Sequence, residues 1–350
     1  MSRYYTRVCN FYYGKSSKFL VSKKKALPLN GNKEISFDHV EIISRKSKKK
    51  FSINKLNSLP KPLKKKIILD LKKITSKKKN FANLNFQKVP NIMGVLNLTP
   101  DSFSDGGKFN FKNKGEKHAI QMFNCGANII DVGGESTRPG SKEINLKIEW
   151  NRLEKVLKLI CKKIPVSLDT RKSIIMEKGI KLGVKLINDI SGLEYDSHSV
   201  NVLKNFKTPF VIQHSQGTPE NMQNKPRYKN ELLDIYDFFE NKLTFLRSLG
   251  IRHNNIIIDP GIGFGKNLKH NMNLISNISI FHSLGFPILV GNSRKRFIKE
   301  LSGKNDTKNR IGGTVASSIY LMMQGVQILR IHDVNEFKQA AKVFKGLLIN

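Results

Sequence analysis

NIMGVLNLTPDSFSDGG, residues 91–107, opens as a strand and ends as something else. Its first half has the β-rich apolar composition of a buried strand, and Thr99-Pro100 stops it, because proline pushes the preceding residue towards extended or turn geometry. Asn97, Asp101, Ser102, Ser104 and Asp105 then crowd oxygen ligands and donors into nine residues, closed by Gly106-Gly107. A strand that delivers polar groups at its C-terminal end is how α/β sheets, open or closed, build active sites.

Working outward, short Ile/Val-rich segments recur at 92–98, 127–132, 165–168, 185–190, 209–212, 256–259, 287–290 and 327–331. Between them lie stretches with helical spacing, at 143–162, 172–182, 230–249, 269–283 and 310–323. Eight strands separated by helical crossovers over about 260 residues predict an α/β fold, a (β/α)8 TIM barrel spanning 89–350. A doubly wound open sheet is disfavoured: no GxGxxG follows the first strand, and polar residues stand at nearly every segment end instead of at one switch point.

Residues 1–88 have a different composition, with 24 Lys/Arg against 4 Asp/Glu, and supply more than half of the net charge of +35. Lys48-Lys49-Lys50, Lys64-Lys65-Lys66 and Lys77-Lys78-Lys79 read as solvated runs, with a short strand over 37–43 and a helix over 63–74. The expectation is a small basic accessory module, partly disordered, ending near residue 88. The lysine bias runs through the whole chain, so nucleic acid is not the expected partner. Cys9, Cys125 and Cys161 are isolated and match no metal spacing, which fits a reducing, cytoplasmic setting. No run approaches the roughly 18 apolar residues of a membrane span.

The segment ends carry Asn97; Glu135 to Arg138; Asp169-Thr170; Asn188-Asp189; His214; Asp259; Ser293-Arg294-Lys295; and Arg330, His332 and Asp333. A barrel brings these to one mouth although up to 236 residues separate them. Arg138, Arg330 and His332, with Lys295, form a cationic set suited to a phosphate or diphosphate. Asn97 offers a neutral oxygen to Mg2+, which binds through few protein ligands, substrate phosphates and water. Asp169, Asn188 and Asp259 present the acceptors and amide that the donor-rich edge of an aminopyrimidine-like ring requires. Gly261 to Gly265 lets backbone approach a ligand, with Phe264 as an apolar contact. His214 has no second ligand at metal spacing and reads as pocket wall. Ser102, Ser136 and Ser293 have no sequence-identifiable His partner, which argues against a serine hydrolase.

The motifs MGVLNLTPDSFSDGG (93–107), DVGGESTRPG (131–140), SLDT (167–170), Asn188-Asp189-Ile190, DPGIGFGK (259–266), Ser293-Arg294-Lys295 and Arg330 to Asp333 resemble those of dihydropteroate synthase, in that family's order. The resemblance implies Mg2+-assisted, SN1-like condensation of 6-hydroxymethyl-7,8-dihydropterin diphosphate with p-aminobenzoate, in a sulfonamide-targeted transferase of folate biosynthesis. It implies Asp169, Asn188, Asp259 and Lys295 around the pterin, and Asn97, Arg138, Arg330 and His332 at the diphosphate, with Asn97 at the metal. Asp169, Asp259, Lys295 and Arg138 become the expected catalytic residues. Thr137, Pro139, Phe264 and Ser293 shape the p-aminobenzoate site, Pro100–Phe109 closes over the substrates, and a homodimer is expected. Gln213 and Ser215 flank His214 where many members have methionine, which makes this wall more polar. A pterin-binding methyltransferase shares the ring-binding set but has no use for the cationic clamp. A noncatalytic descendant of the barrel would lack one of these polar positions, and none is missing.

Overall fold

The computed structural model describes residues 3–99, 111–303 and 306–349. The N-terminal part contains β1 (Tyr5–Tyr13), α1 (Gly14–Ser22), β2 (Leu27–Leu29), β3 (Asn32–Ile43), β4 (Lys48–Ser52) and α2 (Lys61–Thr75). The barrel strands follow: β5 (Asn91–Asn97), β6 (Ile129–Gly133), β7 (Val166–Asp169), β8 (Leu186–Asp189), β9 (Phe210–Gln213), β10 (Ile256–Asp259), β11 (Leu289–Val290) and β12 (Ile328–Ile331). Around them stand α3 (Phe111–Asn124), α4 (Leu146–Ile160), α5 (Ser173–Lys181), α6 (Ser199–Phe206), α7 (Glu231–Ser248), α8 (Leu268–Ser276), α9 (Arg296–Ser302), α10 (Ile311–Met323) and α11 (Val334–Ile349). All eight predicted strands are present, within three residues of the expected limits.

The barrel strands pair in parallel in the order β10-β9-β8-β7-β6-β5-β12-β11, and the parallel bridge between Ile258 and Ile288 closes β10 onto β11. The crossover helices start where the sequence supplies caps. Asn145 accepts from the Ile148 amide, Asn230 from Leu233, and Asn267 forms a reciprocal capping box with His270. In α7, Leu232, Tyr236, Phe239, Leu243 and Leu246 recur three or four residues apart and are buried against the strands. The helix expected over 269–283 is shorter: α8 stops at Ser276 and a 3-10 turn covers Ile278–Leu284.

Alternation along the strands sorts the barrel interior into levels. Met93, Ile129, Leu186, Val211, Ile257, Leu289 and Ile328 form an apolar layer low in the barrel. Two residues further along the same faces come Val95, Asp131, Asn188, Gln213, Asp259, Gly291 and Arg330, and this level is mostly polar. Polarity therefore begins inside the barrel, below the strand ends.

The N-terminal residues differ from the partly disordered module expected of them. β1, β3 and β2 form an antiparallel sheet, β4 pairs with β3, and Val8, Phe37, Val40, Ile67 and Ile74 make its core. In β4 and α2, runs of lysine dilute the apolar pattern. The sheet docks on the barrel wall: the Tyr5 ring meets Tyr236 edge-on at 5.2 Å, and its hydroxyl donates to Asp237 at 2.9 Å. Ser279 donates to the Val8 carbonyl at 2.8 Å, and Arg45 pairs with Asp234 and Asp237, each at 2.8 Å. Lys78, expected in a solvated run, is buried, with its ammonium 2.7 Å from the Lys73 carbonyl; burial pushes it down to about 8.

The expected boundary at residue 88 also shifts. Leu84 and Phe86 are buried against the low apolar layer and plug the N-terminal end of the barrel, so they belong to its core. Losing a fully buried phenylalanine costs about 3–5 kcal/mol. A chain starting at residue 89 is therefore expected to melt well below one starting at residue 77, as read by calorimetry. Equal melting temperatures would show that the plug contributes nothing.

Candidate active site

At the polar level, Asp131 is fully buried and accepts from Arg330 Nε at 2.6 Å and from Asn188 Nδ2 at 3.0 Å. Arg330 Nη2 donates to Asp169 Oδ2 at 2.8 Å. One guanidinium thus ties β12 to β6 and β7. Burial opposes its charge, but Asp131, Asp169 and Asp259 outweigh that and hold it protonated. Arg330, expected at a diphosphate, is already paired with two carboxylates. The reading of strand ends overlooked Asp131, which lies mid-strand; its even spacing from Gly133 was the available signal.

Asp259 accepts from the Gly261 amide at 2.8 Å, and burial pushes its carboxyl up to about 6. Gly261 is required here, because at φ +68° its position brings any Cβ to 2.0 Å from the His214 carbonyl. Burial, helped by Asp131 and Glu149, pushes Asp169 upward against the pull of Arg330.

Above this level, a cavity of about 710 Å³ is lined by Asn97, Thr137, Arg138, Pro139, Phe264, Ser293, Lys295, Arg330 and His332. A second cavity of about 750 Å³ shares Asn97, Arg138, Arg294 and His332. Asp169, Asn188 and Asp259 are buried, each less than 7% exposed, and Arg330, which lines the first cavity, joins Asp169 to it. The Lys295 ammonium sits 4.1 Å from the Phe264 ring centre. Burial and Arg330 pull it down to about 8, while Asp259 and Asp169 act the other way.

His332 differs from the imidazolium expected. Burial, then Arg330, Arg294, Lys295 and Arg138, push it down to about 3, so the ring is neutral. Its Nδ1 lies 3.0 Å from Ser293 Oγ, which also accepts from the His332 amide at 3.2 Å. Asp333 accepts from Arg294 Nε at 3.0 Å. Arg138 remains exposed, with no ion pair among the described residues.

Two supporting networks were not anticipated. Lys172 donates to Glu149 at 2.7 Å and Glu135 at 3.1 Å, Thr170 donates to Glu149 at 2.6 Å, and Arg171 donates to Glu135 at 3.0 Å. Glu135 also accepts from the Ile144 amide at 3.0 Å, which braces the loop carrying Thr137, Arg138 and Pro139. The second network is Lys266, whose ammonium donates to the Phe264 carbonyl at 2.8 Å and lies 3.1 Å from His214 Nδ1. Burial pushes His214 well below its usual range, so it is a neutral acceptor in the wall behind Phe264. Pro100–Phe109, expected to close over the site, lies outside the described residues.

No group of three or more His, Cys, Asp or Glu side chains gathers at metal spacing among the described residues. The donors present suit a magnesium ion held by one neutral oxygen, from Asn97, and otherwise by phosphate and water.

Comparison with known proteins agrees with this geometry. The family model for pterin-binding enzymes matches residues 93–332. The dihydropteroate synthase of Escherichia coli K12 is 39% identical over 261 residues, covering 74% of this chain and 92% of its own. The structure of Yersinia pestis dihydropteroate synthase in a sulfonamide drug complex superposes with a TM-score of 0.71 at 38% identity, covering 75% of this chain and 96% of that one. Xanthomonas albilineans dihydropteroate synthase in complex with 7,8-dihydropteroate gives a TM-score of 0.68 at 29% identity, covering 75% and 95%. The (β/α)8 barrel, its polar level and cationic mouth, and these relatives together place the chain in the pterin-binding enzyme family, among the dihydropteroate synthases.

Proposed function

We propose that this protein condenses 6-hydroxymethyl-7,8-dihydropterin diphosphate with p-aminobenzoate to give 7,8-dihydropteroate and diphosphate. The observation that carries the reading is the pairing of two chemistries: the buried acceptors of Asp169, Asn188 and Asp259 at the polar level inside the barrel, joined through Arg330 to a cavity that Arg138 and Lys295 line. The acceptors suit the N–H-rich edge of the pterin, and the cations suit the leaving diphosphate.

The arylamine is neutral and nucleophilic at neutral pH, so the reaction needs no strong base. Departure of diphosphate is the difficult step: the methylene C–O bond breaks and the leaving group keeps the electron pair. Positioned cations that meet this charge supply on the order of several kcal/mol. Arg138 is available for that, because no carboxylate among the described residues claims it. Arg330 is held by Asp131 and Asp169, so its place is against the ring and the near end of the diphosphate. Asp169 and Asp259 stabilise positive charge spreading into the electron-rich ring, which favours a dissociative, SN1-like course. The amine lone pair then forms the C–N bond and the nitrogen loses its proton to water.

Thr137, Pro139, Phe264 and Ser293 line the part of the cavity assigned to p-aminobenzoate. Magnesium, at Asn97, would neutralise diphosphate charge. A homodimer, on family resemblance, and a cytoplasmic setting, on the isolated cysteines, complete the reading; sedimentation tests the former.

The test is dihydropteroate formation from the two substrates with magnesium, followed by chromatography. Turnover that EDTA removes and magnesium restores is the expected result. A folded protein that forms no product sinks the assignment, and full turnover after EDTA sinks the metal.

A further inference from the structure

We infer that Gln213 is a specificity-determining residue, its side-chain amide reserved for an acceptor on the bicyclic ring; the inference rests on the pterin reading above.

Gln213 ends β9 and is 4% exposed. Val211, two residues earlier on the same strand face, belongs to the apolar layer inside the barrel, so Gln213 faces the barrel axis. In the ladder it pairs with Asp259, while Asn188 pairs with Val211 just below. It therefore stands among the residues assigned to the ring.

Its Nε2 is buried and has no hydrogen-bond partner among the described residues. Leaving a buried donor unpaired costs about 1–3 kcal/mol, so such groups are rare in folded proteins. Asp131 Oδ1 and Asn188 Oδ1, on the same level of the barrel, are also buried and unpaired among the described residues. A donor and two acceptors stand unspent around one axis and do not satisfy one another. Their partners are expected to arrive together, on a ligand that carries N–H donors and an acceptor. A pterin has both: ring and exocyclic N–H groups to meet Asp131 and Asn188, and ring nitrogens and an oxo group to meet Gln213.

A packing role and a recognition role make opposite predictions. If Gln213 only fills space, Gln213→Met, a close match in volume, changes little. If its amide serves the ring, the change removes an unpaired donor from the free protein and a contact from the complex.

Calorimetric titration with 6-hydroxymethylpterin tests this without turnover. For Gln213→Met the expected Kd is about tenfold weaker, with an unchanged or higher melting temperature in the absence of ligand. Gln213→Glu keeps the shape but loses the donor, and should weaken binding at least as much. The KM for the pterin diphosphate should rise in parallel while that for p-aminobenzoate stays within about twofold. Wild-type Kd in either folded variant overturns the inference. Failure of the wild-type protein to bind 6-hydroxymethylpterin would instead sink the pterin reading itself.

Discussion

Arg138→Ala is expected to lower kcat/KM for the pterin diphosphate by about two to three orders of magnitude, the usual effect of deleting one positioned group that meets developing charge. It should leave the melting temperature almost unchanged. Arg138 is exposed, makes no ion pair among the described residues, and lines both cavities at the mouth. The loop beneath it is held by Glu135, Glu149, Lys172 and Arg171, none of which needs the Arg138 side chain. Arg330→Ala is a different experiment, because it leaves Asp131 and Asp169 buried without their cation and should cost stability as well as activity. Comparing the two by steady-state kinetics and thermal melting separates a residue that meets the leaving group from one that also holds the barrel together. Wild-type kinetics in Arg138→Ala would contradict the diphosphate role.

Asp259→Asn is expected to raise stability while cutting turnover at least a hundredfold, roughly, since a buried acceptor assigned to ring N–H groups is in part exchanged for a donor. Burial raises the folded-state pKa of Asp259 from 3.8 to about 6. A carboxyl raised in this way favours folding when protonated. Its contribution is fully present below the unfolded value of 3.8 and is lost as pH rises through about 6. At neutral pH the ionised group is a net cost, on the order of 1 kcal/mol or more after Lys295 and Lys266 have offset part of it. Asparagine keeps the acceptor for the Gly261 amide and carries no charge to bury. The melting temperature of Asp259→Asn should exceed that of the wild type above about pH 6, and the two should converge near pH 4. A lower melting temperature at neutral pH would show that the carboxylate stabilises the fold.

Much of the barrel was legible because its signal is local. Each strand is a short Ile/Val run ended by proline, glycine or a polar residue, and each such run is interpretable alone. The N-terminal sheet was less legible: β4 reads Lys48-Lys49-Lys50 where a strand is expected to alternate. Phe86 fell within the N-terminal module because nothing nearby says that it plugs a barrel whose apolar layer includes Ile328, 242 residues further on.

For the site, the sequence by itself determined which side chains reach the C-terminal end of the barrel, since parallel strands separated by crossovers place their ends on one face. It did not determine their charge states or pairings. Asn97, in the stretch that opens the barrel, lines the mouth beside Arg138 and His332. His332, however, is neutral because it is buried and because cations from its own strand and from two other segments surround it, and Arg330 is occupied because Asp131 and Asp169 reach it from β6 and β7. Only the tertiary structure decides such matters, because protonation and ion pairing depend on burial and on distances between residues that the chain keeps far apart.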